Sequence, residues 1–220
     1  GGPGTYACWL AGSRYAVHLV DPVPLHVEQA KTASLEQPAY PLTSCCVGDA
    51  RCVPLADTSV DAVLLHGPLY HLTSRDDRLL ALREARRILR PEGVLVAVAI
   101  SVYASTIVGL VRGWVWDSDY LGMVREEIAT GQHRHPPQWD ILTTAFFHHP
   151  KDLAQELTAA GLQHTVTLGI QGPAWLVPEF EQCWREVSKR ETLMQVARLV
   201  EHEPVHSPHM VAVARKPQHP

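Results

Sequence analysis

Gly1, Gly2, Pro3 and Gly4 stand directly before an apolar, helix-like run from Thr5 to Ala11, and Asp21 follows seventeen residues after Gly4 at the end of a strand-like stretch. Glycines at such a turn permit positive φ and bring the main chain against a ligand, while a carboxylate closing the next strand can accept from ribose hydroxyls. The chemistry this spacing suits is retention of an adenosine-containing cofactor. A second carboxylate, Asp49, lies in Gly48-Asp49-Ala50 after a short strand-like run, Ser44 to Val47. A third group, His66, Tyr70 and His71, follows the apolar run Val60 to Leu65 and offers imidazoles able to move a proton near neutral pH.

Such residues work only if strands and helices bring them to one edge. Ala16–Pro22 reads as a buried parallel strand stopped by proline, and 25–33 as a helix. Val60–Gly67 is a nearly continuous apolar run, typical of a strand covered on both faces. From Ser74 to Leu89 the period becomes helical, with Leu79, Leu82, Ala85 and Leu89 on one face. Arg90-Pro91-Glu92-Gly93 ends that helix before the strand Val94–Ile100. Pro150 opens a short helix closed by Gly161; Gln163–Ile170 and His209–Arg215 read as further strands, and a long helix is expected from Pro178 to His202. The alternation predicts a right-handed, doubly wound, mostly parallel α/β sheet in one domain over residues 1–220, with helical lids at about 101–137 and 172–207.

The bulk numbers fit this. In 220 residues, 46% are apolar and 19% charged, which suits a globular domain with a sizeable core. The net charge of −4, with no long basic run, argues against a sequence-independent nucleic-acid surface. No apolar stretch approaches a membrane span. Five cysteines without a CxxC pair fit reduced thiols and a cytoplasmic setting. The 13 histidines invite a metal reading, but His133/His135, His148/His149 and His202/His206/His209 lack the helical pair with a nearby acid expected of a zinc enzyme, so no metal is expected. Trp114, Trp116, Trp139, Trp175 and Trp184 could wall an apolar pocket or pack the lids. Phe180, Trp184, Val187, Met194, Ala197 and Val200 trace a stripe read as a packing face.

In the order of these pieces the chain resembles the class I S-adenosylmethionine-dependent methyltransferases. Gly2-Pro3-Gly4 resembles the later part of that family's glycine-rich motif. Gly48 to Leu65 matches its Gly-Asp-Ala segment and fourth strand, and Leu82 to Ile100 its helix, Arg-Pro-x-Gly turn and fifth strand. Gly67 to Leu72 (Gly-Pro-Leu-Tyr-His-Leu) is similar to a string in bacterial small-molecule enzymes. The resemblance implies a Rossmann-like fold and S-adenosyl-L-methionine as cofactor. Gly2 and Gly4 would meet its amino-acid end, Asp21 its ribose, Pro22 and Val23 the adenine face. Asp49 and the Ala50 N–H would meet the adenine edge, with His66 beside the cofactor. It further implies a small-molecule methyl acceptor, oriented by Tyr70 and deprotonated where necessary by His71, with neither nucleic acid nor membrane as partner. Nucleobase amino-methylating relatives carry Asn/Asp-Pro-Pro-Tyr/Phe where this chain has His66-Gly67-Pro68-Leu69, which disfavours that substrate class.

Two alternatives stay open. Gly2, Gly4 and Ala7 also satisfy the Gly-x-Gly-x-x-Ala fingerprint of nicotinamide dehydrogenases. A non-catalytic partner retaining the fold is the other. The family pattern places a further acidic residue and glycine, on the sheet's central strand, before Gly1. A sheet without that first strand is expected to leave its two neighbours with unpaired backbone.

Overall fold

A computed structural model describes residues 1–134 and 144–218. Helix α1 (Thr5–Gly12) follows the glycine turn, then β1 (His18–Asp21), α2 (Pro24–Leu35) and β2 (Ser44–Val47). Next come β3 (Val60–His66), the single turn α3 (Pro68–His71), α4 (Arg75–Ile88) and β4 (Leu89–Ile100). The middle of the chain holds α5 (Ala104–Arg112), α6 (Ser118–Thr130) and a two-stranded ribbon of β5 (Gln132–His133) and β6 (Ala145–Phe146). The chain then runs through α7 (Pro150–Ala159), β7 (Gln163–Gly169), α8 (Phe180–Arg185), α9 (Val187–Leu199) and β8 (His209–Arg215). Residues 135–137 of the expected first lid, with His135 and Trp139, lie outside the described residues.

The strands form a parallel pair β1–β2, a four-stranded sheet ordered β3-β4-β8-β7, and the ribbon. Within the larger sheet β3 and β4 run parallel, while β8 is antiparallel to both β4 and β7. Among the described residues no strand pairs with the edge of β1 opposite β2, or with the edge of β3 opposite β4.

The main core lies on one face of the larger sheet. Leu82, Ala85 and Leu89 from α4 and its end, and Leu153 and Leu157 from α7, pack on Leu95, Ala97 and Ala99 of β4 and on Met210, Ala212 and Ala214 of β8. The helical period of α4 and the alternation of the strands deliver these side chains to a common layer. A smaller cluster of Leu19, Val27 and Ala30 joins β1 to α2.

Three local expectations need correction. Strand β3 is not covered on both faces: Leu64 is 42% exposed and Ala62 is exposed. The Arg90-Pro91-Glu92-Gly93 turn is absorbed into β4 as an irregularity, with Glu92 at φ 64° and the β3 register slipping between Val60 and Ala62. The helix expected over 178–202 is broken at Glu186, whose extended backbone (ψ 118°) separates α8 from α9. None of the residues in α8 or α9 is fully buried: of their apolar stripe, Phe180, Ala197 and Val200 are half-buried, while Val187 and Met194 are exposed.

Candidate functional site

Parallel pairing of β1 with β2 sets Asp21 opposite Val47, so Asp21 and the Gly48-Asp49 turn emerge at adjacent carboxyl ends. The Gly48 N–H donates to the Asp21 carbonyl at 3.1 Å, which ties the two ends together. The glycine turn folds back over the same spot. Gly2 (φ 58°) and Gly4 (φ 92°) both occupy the left-handed region, as the sequence anticipates. Gly4 is constrained twice, since a Cβ there would lie 2.9 Å from Ala30 Cβ, where α1 meets α2.

Asp21 is only 7% exposed and is well supplied with donors. Its Oδ2 accepts from the Gly2 N–H at 2.6 Å, its Oδ1 accepts from the Val23 N–H at 2.9 Å, and His26 Nδ1 lies 3.0 Å from Oδ1. Burial pulls its pKa upward, but the Gly2 and Val23 N–H groups and His26 outweigh this and hold it below the ordinary value. A carboxylate offers about four acceptor positions, so an ionised Asp21 retains capacity for a ligand hydroxyl. The buried carboxylate, the positive-φ backbone turn above it and the second carboxyl end beside it fit an adenosine-bearing group.

Asp49 is arranged differently. Its Oδ1 accepts from the Arg51 N–H at 2.8 Å and from Arg51 Nε at 3.0 Å, and its Oδ2 from Arg51 Nη2 at 2.7 Å. Arg51 Nη1 continues to Asp77 Oδ1 at 2.9 Å, which links the turn to α4. Hydrogen bonding to Arg51 lowers the Asp49 pKa and takes up most of its acceptor capacity.

Across the gap, β3 delivers His66 to its carboxyl end. The Tyr6 ring of α1 meets His66 edge-on, with centroids 5.1 Å apart, so the helix after the glycine turn reaches the second half of the site. Gly67 (φ 129°) then reverses the chain, and a Cβ at Gly67 would lie 3.7 Å from Tyr70 Oη and 3.9 Å from His71 Cδ2. Both functional groups thus fold back over the strand end, with their rings 4.8 Å apart. Tyr70 packs against the cluster that includes Ile100, Ala145 and Phe147.

Burial lowers the His66 pKa and raises that of Tyr70. Near neutral pH His66 is therefore an uncharged imidazole, able to accept a proton, and Tyr70 keeps its hydroxyl proton to donate. His66 pairs with Val98 and Ile100 with His209, so strand alternation puts His66 and His209 on the same face of the sheet. Burial, and then the nearby His66, lower the His209 pKa.

The structure thus gathers Gly2, Gly4, Asp21, Pro22, Asp49 and Ala50 at the β1–β2 end, and His66, Tyr70 and His71 at the β3 end. Sequence reasoning passed over Tyr6, His26 and Arg51, and weighed His209 only as a metal ligand. His26 had a usable signal, since a residue in the first turn after a strand-ending Asp can reach back to it. Among the described residues, Trp114 packs edge-on against Tyr120, Trp184 stacks on Phe180, and Trp116 is 89% exposed, so these three do not form one wall. Among the described residues no group of three His, Cys, Asp or Glu side chains is placed to hold a metal ion, and no helix is long and apolar enough to cross a membrane.

Comparison with known proteins agrees with this geometry. Residues 1–97 match the family model described as "Methyltransferase domain". No curated protein matches the chain. Among solved structures, a S-adenosylmethionine-dependent methyltransferase from Methanosarcina mazei is similar at a TM-score of 0.64 and 16% identity, over 98% of this chain and 89% of the other. The CcbJ methyltransferase from Streptomyces caelestis gives 0.62 and 17%, over 98% and 85%. The [4+2]-cyclase SpnF gives 0.60 and 17%, over 98% and 72%, so the fold also carries other chemistry.

Proposed function

We propose that this chain transfers the methyl group of S-adenosylmethionine to a small organic acceptor; the match of residues 1–97 to the methyltransferase family model and the likeness of its fold to S-adenosylmethionine-dependent methyltransferases support the reading. The observation that carries the reading is the convergence of Asp21, the Gly2–Gly4 turn and Gly48-Asp49 at one end of the cleft, with His66, Tyr70 and His71 at the other.

Gly2 and Gly4 would hold the cofactor's amino-acid end, assisted by the first N–H groups of α1, which have no intrahelical acceptor. Asp21 would accept from its ribose, Pro22 and Val23 would cover its adenine, and Asp49 with the Ala50 N–H would meet the adenine edge. For Asp49 that role requires Arg51 to share the carboxylate. When bound, S-adenosylmethionine supplies a methyl group already activated by its sulfonium. What remains for the chain is to align the acceptor and exclude water. Tyr70 donates to and orients the acceptor, and His71 removes its proton where the nucleophile is a phenol, an alcohol or an ammonium. His66 lines the boundary between cofactor and acceptor. In this reading the chain is a single domain, and the segments 101–134 and 172–207 act as lids.

Calorimetric titration tests the reading. S-adenosylmethionine should bind the purified chain, whereas NAD and NADP should not. Binding of a nicotinamide cofactor without the sulfonium compound would favour a dehydrogenase. Tight S-adenosylmethionine binding with no methyl transfer to a broad set of phenols, amines and alcohols would favour a non-catalytic role.

A further inference from the structure

Arg78, in the first turn of α4, is a charged side chain only 2% exposed, and the roles above make no use of it. Its guanidinium is fully engaged. Nε and Nη2 donate to Glu156 of α7, at 3.0 Å to Oε2 and 2.7 Å to Oε1, while Nη1 donates to the carbonyls of Leu72 and Thr73, both at 3.0 Å. The guanidinium carbon also sits 3.5 Å from the centroid of the Phe146 ring in β6. Glu156 is itself buried and receives His148 Nε2 at 3.3 Å, with Arg75 Nε at 4.0 Å.

The two carbonyls are the informative contacts. α3 is a single turn, Pro68–His71, and Leu72 and Thr73 carry the chain directly out of it. Carbonyls at a helix end lack intrahelical donors and need a partner from elsewhere. Arg78 supplies it, and Gln132 of β5 adds a second donor to the Thr73 carbonyl at 3.2 Å. The same guanidinium thus grips the end of the turn that presents Tyr70 and His71, and through Phe146 and Glu156 it grips the ribbon and α7. Tyr70 packs against the cluster that contains Ala145 and Phe147, the residues flanking Phe146.

We infer that Arg78 and Glu156 are positioning residues for methyl transfer, forming a clamp that fixes the orientation of Tyr70 and His71 against the β5–β6 ribbon. The inference rests on the acceptor-side roles proposed above for those two residues. A planar guanidinium with its fork of donors suits the task, because one rigid group meets a carboxylate and two carbonyls at once.

The test separates positioning from stability. Replacing both members of a buried ion pair by apolar residues of similar volume is often tolerated or stabilising. R78M/E156L is therefore expected to fold, yet it takes the Arg78 donor from both carbonyls and leaves Thr73 held by Gln132 alone. R78K keeps the charge but loses the fork. Both variants are labelled with 3-fluorotyrosine, and the Tyr70 resonance is assigned with Tyr70→Phe. The parent should give one sharp Tyr70 line. The variants should give a broadened or divided line, with the Kd for S-adenosylmethionine changed by less than about twofold. A Tyr70 line identical to the parent's in either folded variant would overturn the clamp. Failure of the parent chain to bind S-adenosylmethionine would instead remove the functional reading, and the fluorine spectra would still report on the clamp.

Discussion

Replacing Asp21 by alanine removes the buried carboxylate at the end of β1, where the cofactor's ribose is proposed to sit. In the structure it accepts from Gly2 and Val23 N–H groups and contacts His26, all within 3.0 Å. A hydrogen bond to a charged group contributes about 1.5–3 kcal/mol. Losing the equivalent of one such bond to a ribose hydroxyl predicts a Kd weaker by about 10- to 150-fold. The substitution also releases the Gly2 turn, so a stability loss of about 2 kcal/mol should accompany it, lowering Tm by roughly 4–8 °C. Titration with S-adenosylhomocysteine measures the first effect and a thermal melt the second. Glu28→Ala, on the exposed side of α2, is the control and should leave the Kd within about twofold. A folded Asp21→Ala protein with an unchanged Kd would refute the assignment of this carboxylate to the cofactor.

Three further outcomes are expected. Gly4→Ala forces a side chain into φ 92° and to 2.9 Å from Ala30 Cβ, so the urea midpoint should fall by the equivalent of about 2–4 kcal/mol. An unchanged midpoint would mean that α1 and α2 are not packed as described. His71→Ala should lower turnover on a protonated acceptor roughly a hundredfold, and a turnover number unaltered from neutral to alkaline pH would end its candidacy as base. Stability should also decline in acid. Burial lowers the His148 pKa below the ordinary 6.5, so the unfolded chain takes up a proton first as pH drops through that value. Burial pulls Glu156 upward, but bonds to His148 and Arg78 win and bring it from 4.5 to about 2, so its contribution, full above 4.5, is lost towards pH 2. Urea midpoints that stay level from neutral pH down to 4.5 would contradict the burial of His148, and an E156Q protein with the parent's profile below that would contradict the Glu156 pairing.

The cysteines and the surface add little to this account. All five thiols are free. The exposed apolar residues of α8 and α9, Val187, Met194 and Leu199 among them, belong to a helix pair with no fully buried residue.

What the sequence by itself determined were the features governed by short-range periodicity and turn chemistry. The strands at Ser44–Val47 and His209–Arg215, the helix beginning near Thr5 and the positive-φ glycines could be read locally, because alternation, helical repeat and backbone freedom are properties of neighbouring residues. Asp21 and Asp49 could be named from motif order. The side-by-side placement of their strand ends came from parallel pairing of β1 with β2, and the link to His66 from the Tyr6 ring of α1, contacts between residues far apart in the chain. The Asp49–Arg51 fork and the break at Glu186 carried no distinct local signal.

Arg78 shows the division most clearly. It lies at the helical spacing of Leu82, Ala85 and Leu89, four, seven and eleven residues before them, so its place on the buried face was legible. That a guanidinium could be stable there was not. The donors of Arg78 need acceptors inside the protein, and only the packing of α4 against α7 and the ribbon brings Glu156, from 78 residues away, together with the Leu72 and Thr73 carbonyls. A buried charge is tolerated where tertiary structure supplies its partners, and that supply decides whether a charged residue on an apolar face is an error or part of a site.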